Sequence, residues 1–268
     1  YDIAFFGGDP DNFTYPRYDL DITFLRAYEN DKPAAIKDYL KFTDKPIQEN
    51  ELIFVSGHPG STGRLQTMAQ LEYLRDIAYP ARLKTLESQI KAYFEFADKS
   101  ADNRRMAENL IFGSQNSFKA ITGYQSGLLD KDVMAEKAAA EKALREAVMK
   151  DQEMAKQSGG AWDAIAKAMQ WQRDNFNRIT FMGDNGVPGR LAMSARALVR
   201  LTSGGQEDRS PQGPMRLEQI VESTQPVDNG LEELQLTLAL QQMQDKMGAN
   251  DPFVQTVLAG KPPAERAT

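Results

Sequence analysis

The sequence predicts an α+β protein, with a short antiparallel β region over residues 1–61 followed by a large all-α region over residues 62–268. Two observations carry this. Up to about residue 62, short apolar runs alternate with clusters of turn-forming residues, as in strands joined by hairpins. Beyond it, apolar residues recur at helical spacing almost to the end of the chain.

Three strands are expected in the first part. Ile3–Phe6 is short and apolar, and the turn-rich Gly7-Gly8-Asp9-Pro10-Asp11-Asn12 follows it. Ile22–Tyr28 is β-branched and aromatic, and Asn30-Asp31-Lys32-Pro33 closes it as a turn. Glu51–Ser56 is the third, ended by Gly57-His58-Pro59-Gly60. Their hairpin-like spacing suggests part of an antiparallel sheet or barrel.

The helical part is expected to open at a cap on Ser61 or Thr62 and to run through Leu65, Met68, Leu71, Leu74 and Ile77. Pro80 should kink or restart it, because proline lacks the N–H that a helix interior needs. Leu83, Leu86, Ile90 and Phe94 then continue an apolar face. Further helices are expected over Asp102–Tyr124, Lys131 to about Lys156, Ala161–Ile179, Arg190–Leu201, Leu231–Met247 and Pro252–Leu258. Ser203–Pro214 reads as a polar loop, Gly248 as the glycine that ends a helix, and Lys261–Thr268 as a polar tail. The first residues read as a strand already under way, so the sequence reads as an internal stretch of a longer chain.

Composition narrows the chemistry. The formal net charge is −6, from 32 Lys and Arg against 38 Asp and Glu, which argues against nucleic acid as a partner. No apolar run approaches the length of a membrane span. Cysteine is absent, which excludes disulfides, thiolate metal sites and a cysteine nucleophile from these residues. Histidine occurs once, at His58, so a histidine-rich metal site is excluded as well.

Several segments admit both a structural and a chemical reading. Residues Gly7–Arg17 form either a long hairpin loop or a binding loop that presents Asn12 and an aromatic residue. An amide oxygen accepts from an ammonium, and an aromatic face attracts a cation. Asp21 opens a strand in Asp19-Leu20-Asp21-Ile22-Thr23-Phe24-Leu25, either as a solvated edge acid or as an acid that orients a catalytic histidine. The tight Gly/Pro turn accounts for His58 structurally. Ser61 lacks the Gly-x-Ser-x-Gly elbow of a nucleophile and reads as a helix cap. Trp162, Trp171, Phe176 and Phe181 sit at spacings typical of helix packing.

Taken together, these segments resemble the S46 dipeptidyl peptidases. Gly7-Gly8-Asp9-Pro10-Asp11-Asn12-Phe13-Thr14-Tyr15-Pro16-Arg17 followed by Asp21-Ile22 is similar to that family's Gly-Gly-Asp-x-Asp-Asn-Trp-x-x-Pro-Arg…Asp-Phe signature. Gly57-His58-Pro59-Gly60-Ser61-Thr62-x-Arg64 resembles its Pro-Gly-x-Thr-x-Arg turn, and Asn116-Ser117-Phe118-Lys119…Gly123 its Asn-x-x-Lys-x-x-x-Gly segment. Met247–Pro252 and Val257–Lys261 resemble the end of its helical domain.

The resemblance implies a serine-type peptidase that releases dipeptides from the free N-terminus of oligopeptides. Residues 1–61 would belong to a chymotrypsin-like antiparallel β-barrel and residues 62–268 to an all-α cap domain. Asp21 would be the triad aspartate, with the triad histidine and serine in other segments, so these residues alone would be inactive. Asn12, Phe13 and Asn116 would hold the substrate's α-amino group. No cofactor or metal is implied. The partner is an oligopeptide substrate, a homodimer is among the allowed states, and the location is the periplasm or cell surface. Two departures bear on this. Phe13 stands where the family has tryptophan, and Tyr18-Asp19-Leu20 where it has His-Thr-Gly, which makes Asp19 a competing acid. A non-catalytic helical scaffold or peptide-binding module on the same fold is the alternative.

Overall fold

A computed structural model describes residues 24–39, 41–54, 63, 65–183, 186–202, 219–224 and 227–268. Those residues fall into two compact units that divide between Leu65 and Gln66.

The smaller unit contains one hairpin among its described residues. Strand β1 (Tyr28–Glu29) pairs antiparallel with β2 (Lys32–Pro33), with Tyr28 opposite Pro33 and Glu29 opposite Lys32. Asn30 and Asp31 turn the chain with φ of 52° and 59°. Asn and Asp are the non-glycine residues that best tolerate this left-handed geometry, and two such residues in succession match the twist of a tight hairpin.

Two strand expectations are corrected here. Phe24–Ala27 lies outside the ladder apart from one bond, Ala34 N–H to the Ala27 carbonyl at 3.0 Å. Glu51–Phe54, the described part of the third expected strand, is not strand at all. A β-propensity run becomes a strand only beside a partner it can bond and pack against. Among the described residues neither segment has one: Leu25 is 92% exposed and Phe54 90%. A barrel is therefore not observed among these residues, and Ile3–Phe6 lies outside them.

The larger unit is helical. Helix α1 (Met68–Tyr73) runs through a π-helical turn (Leu74–Ala78) into α2 (Tyr79–Ala97). Then come α3 (Ala101–Leu129), α4 (Lys131–Lys150), α5 (Gln152–Ser158), α6 (Ala161–Asp174) and α7 (Phe176–Met182). Helices α8 (Arg190–Thr202), α9 (Asn229–Met247), α10 (Pro252–Leu258) and α11 (Pro263–Ala267) follow.

Side-chain caps explain where most of these helices begin. The first starts at Met68 rather than at Ser61 or Thr62, because Thr67 and Gln70 form a capping box that satisfies two orphan N–H groups reciprocally. The helix expected over 131–156 is two helices. Asp151 breaks it, ending α4 while its carboxylate accepts from the Glu153 and Met154 N–H groups that open α5. Asp130 does the same between α3 and α4. The expected Ala161–Ile179 helix is interrupted at Asn175. The expected polar tail contains α11, which starts behind Pro262 with proline in its first turn, where the missing N–H costs nothing. Gly248 closes α9 at φ +89°, as its position suggested.

The core of this unit lies between α2, α3 and α9. Tyr93, Phe96 and Ala97 of α2 pack on Ala107 and Ile111 of α3, with Leu231 and Leu234 of α9 laid against them. A second cluster joins Leu240 and Met243 of α9 to Val254 and Leu258 of α10, with Phe181 of α7 alongside. One polar pair sits in this core: the buried Gln235 side chain donates to the Tyr93 hydroxyl at 3.3 Å. Burial pushes the Tyr93 phenol up, so it remains a neutral partner.

The same helix also fixes α8. Both oxygens of Glu232 accept backbone N–H groups at the start of α8, from Arg190 at 2.6 Å and Leu191 at 3.0 Å. Gly189, at φ +106°, lets the chain pass this carboxylate: a Cβ there would lie 2.6 Å from a Glu232 oxygen.

Candidate functional site

Of the residues expected to bind or react with substrate, Asn116 is the one the structure describes; Asn12, Phe13 and Asp21 lie outside the described residues, as do His58 and the competing Asp19. Asn116 is on α3, and its direction follows from helical geometry. The face of α3 toward α2 carries the buried Ala107 and Ile111. Further along it carries Gln125, which reaches the segment before α2. Nine residues separate Asn116 from Gln125, about two and a half turns, so the two side chains leave opposite sides of the helix. Asn116 thus projects from the side of α3 away from the α2 contact and is half-buried there.

Phe112 and Lys119 share that side at helical spacing, together with Gly113 and Gly123. Among the described residues, a Cβ added at Gly113 or Gly123 would meet nothing within 4 Å. Its carboxamide offers an oxygen acceptor and two N–H donors.

A second polar constellation escaped the sequence reading. It sits at the π-turn. Tyr79 N–H bonds the Leu74 carbonyl five residues back, in the π register. In that register the Arg75 carbonyl would need the N–H of residue 80, which is proline and has none. Gln125 of α3 supplies the donor instead, its Nε2 lying 2.9 Å from the Arg75 oxygen. The other amide atom, Gln125 Oε1, is buried without a partner among the described residues.

Arg75 grips the neighbouring Asp76 with both ends of its fork, Nε to Oδ1 at 2.7 Å and a terminal nitrogen to Oδ2 at 3.0 Å. Arg173 of α6 approaches the same carboxylate at 3.9 Å. The hydrogen bond from Arg75 holds the Asp76 carboxyl below its ordinary value, only partly offset by burial. A carboxylate clamped as an anion is a structural tie and not a general base near neutrality. The one available signal in the sequence was Pro80, which marks an irregular helix without saying which irregularity results.

Among the described residues, no group of three or more His, Cys, Asp and Glu could hold a metal ion, and no helix is long and apolar enough to cross a membrane. The described residues form a helical scaffold with one short hairpin before it.

The chain belongs to the S46 peptidase family, whose family model, described as Peptidase S46, matches residues 1–268. It is 31% identical over 150 residues to the Asp/Glu-specific dipeptidyl-peptidase of Shewanella putrefaciens, covering 52% of this chain and 20% of that protein. It is also 26% identical over 158 residues to dipeptidyl-peptidase 7 of Phocaeicola vulgatus, covering 51% of this chain and 20% of that one. A third relative, dipeptidyl-peptidase 7 of Capnocytophaga gingivalis, is 28% identical over 151 residues, covering 52% of this chain and 21% of that protein. The matched stretch thus spans about a fifth of the length of these curated relatives. No solved structure matches the chain.

Proposed function

We propose that the protein is a serine-type dipeptidyl peptidase that cuts dipeptides from the free N-terminus of oligopeptides. In this reading residues 1–61 belong to a chymotrypsin-like barrel, with Asp21 as the triad acid, and residues 62–268 form the helical cap. The observation that carries it is the family match over the whole chain, joined to relatives that are named dipeptidyl-peptidases. The exposed aromatic and aliphatic side chains between Phe24 and Phe54 support the barrel: Phe42 is 94% exposed and Leu52 80%. Apolar surface so concentrated calls for cover, which the proposed barrel would supply. Periplasm or cell surface is the location that goes with this activity in the family.

The chemistry is acyl transfer. A serine attacks the scissile carbonyl while a histidine takes its proton, both supplied by other segments of the protein. Asp21 holds the histidine in the correct tautomer and stabilises the imidazolium that forms. Asn12 and Asn116 accept hydrogen bonds from the substrate's ammonium, and the ring of Phe13 faces the cation. An ammonium taken out of water without acceptors is heavily penalised, so a substrate seats only with its N-terminus at these groups. The distance from that anchor to the serine then sets the cut two residues in. The half-buried position of Asn116 on the side of α3 away from α2 suits this task.

Replacing Asn116 by alanine in the full-length protein removes one acceptor from a charged donor. A hydrogen bond to a charged group contributes about 1.5–3 kcal/mol, so kcat/KM for an unblocked peptide should fall about 10- to 100-fold. Steady-state kinetics on a free-amine peptide measures this. Values equal to wild type would remove Asn116 from the anchor.

A further inference from the structure

Helix α8 carries an apolar stripe on its outward side. Ala197, 1% exposed, marks the side of the helix that is packed. Leu191, Ala195, Leu198 and Thr202 recur at steps of four, three and four residues, so they share one face turned well away from Ala197. All four are exposed. Val199 lies beside them at 63% exposure, with Leu191 at 53% and Leu198 at 48%. A helix packed by one side ordinarily shows polar residues on the other. Here the outer side is aliphatic among the described residues.

The charges of the same helix have one sign. Arg190, Arg196 and Arg200 stand on α8 with no Asp or Glu, in a chain of net charge −6. Among the described helices longer than seven residues, it is the one that lacks an acid. Arg190 donates to the Ser223 carbonyl at 2.7 Å, and Arg196 to the Val187 carbonyl at 2.9 Å. Carbonyl oxygens hold these guanidiniums in place and leave their charge uncancelled. Glu232 meets α8 at its first turn, where it accepts backbone N–H groups. Arg196 and Arg200 lie one turn apart toward the other end, beside Leu198 and Val199 in sequence, and like charges at that spacing repel.

We propose that α8 docks on an anionic phospholipid surface, its aliphatic stripe at the headgroup boundary and its arginines at the lipid phosphates. An aliphatic face with cations and no anions, on a helix too polar to span, is the pattern of a helix that lies in the interface. Two other occupants fit less well. A second copy paired through the same face would set arginines against arginines. A stable protein partner buries about 800 Å² a side, more than Leu191, Ala195, Leu198 and Val199 offer on one convex helix. A lipid surface needs no matching groove, and its phosphates turn the repulsion between Arg196 and Arg200 into attraction. The docking is independent of the peptidase assignment, because it uses none of the residues assigned there.

Co-sedimentation of the full-length protein with vesicles tests this. Vesicles of phosphatidylglycerol and phosphatidylcholine in equal parts should carry the protein down, and vesicles of phosphatidylcholine alone should not. Binding should weaken as salt is raised. Arg196→Gln and Arg200→Gln should each lower the partition coefficient about five-fold. Leu198→Ser with Val199→Ser should lower it about ten-fold, through the aliphatic groups removed from the interface. The circular dichroism spectrum and melting temperature of each variant show that it is folded. A second readout is maleimide labelling: Leu198→Cys in the free full-length protein should react above the wild-type background and be protected by the anionic vesicles. Equal binding to both kinds of vesicle, no binding to either, or binding unmoved by these variants overturns the proposal. So does a Leu198→Cys thiol that is unreactive in the free protein, because another segment of the protein would then cover the face.

Discussion

Asp21→Ala in the full-length protein is expected to lower kcat/KM for an unblocked peptide by about 10⁴-fold. The reasoning is electrostatic. On the proposed triad assignment, without the Asp21 carboxylate the catalytic histidine populates the wrong tautomer, and the imidazolium formed during acyl transfer has no counter-charge. Substrate binding does not pass through this residue, so the loss should fall on kcat and leave KM little changed. Asp19 provides the internal control, because it is the other acid at the start of the same segment. Asp19→Ala should retain nearly full activity. If the two variants exchange places, the triad acid is Asp19; if both are active, the triad assignment to this segment is wrong.

The largest expected effect on stability comes from the core and does not depend on any assignment of function. Phe96 is 7% exposed and packs within the cluster formed by α2 and α3. It also fills the space beside Gly230 at the start of α9, where an added Cβ would come 3.4 Å from the ring. The ring therefore joins the α2–α3 hairpin to α9. Phe96→Ala should lose about 3–5 kcal/mol, the transfer free energy of the ring plus the cavity it leaves. The Lys99 ammonium, 5.8 Å from the ring centre, loses its aromatic partner in the same step. Urea denaturation of wild type and variant measures the difference. A loss under 1 kcal/mol would show that α9 does not depend on this contact.

The helical half was largely legible because its signal is local. Apolar spacing and capping chemistry are read within a few residues, and the α3, α8, α9 and α10 segments were recovered within a turn or so. The breaks at Asp151 and Asn175 were missed for a related reason. Asp151 lies in a run of strong helix formers and looks like one more solvated acid until its carboxylate is seen on two N–H groups. The π-turn was beyond reach in another way. Pro80 announces a disturbance, but the outcome depends on Gln125, 45 residues later, supplying a donor to Arg75.

The strands were read too generously. Ile22–Tyr28 and Glu51–Ser56 have the composition of strands, yet pairing is a property of two segments and not of one. The candidate site divides along the same line. Helical periodicity places Asn116 on the side of α3 away from α2, whereas the roles of Asn12, Phe13, Asn116 and Asp21 came through resemblance to a family signature and not from spacing or charge.

The most direct test compares two substrates with the full-length protein: an oligopeptide with a free N-terminus and the same peptide N-acetylated. Acetylation removes the positive charge and leaves the scissile bond unchanged. Successive release of dipeptides from the first, and none from the second, is the predicted result. Equal cleavage of both, or release of fragments other than dipeptides, would contradict the account at its centre, because no ammonium anchor would then be setting the place of the cut.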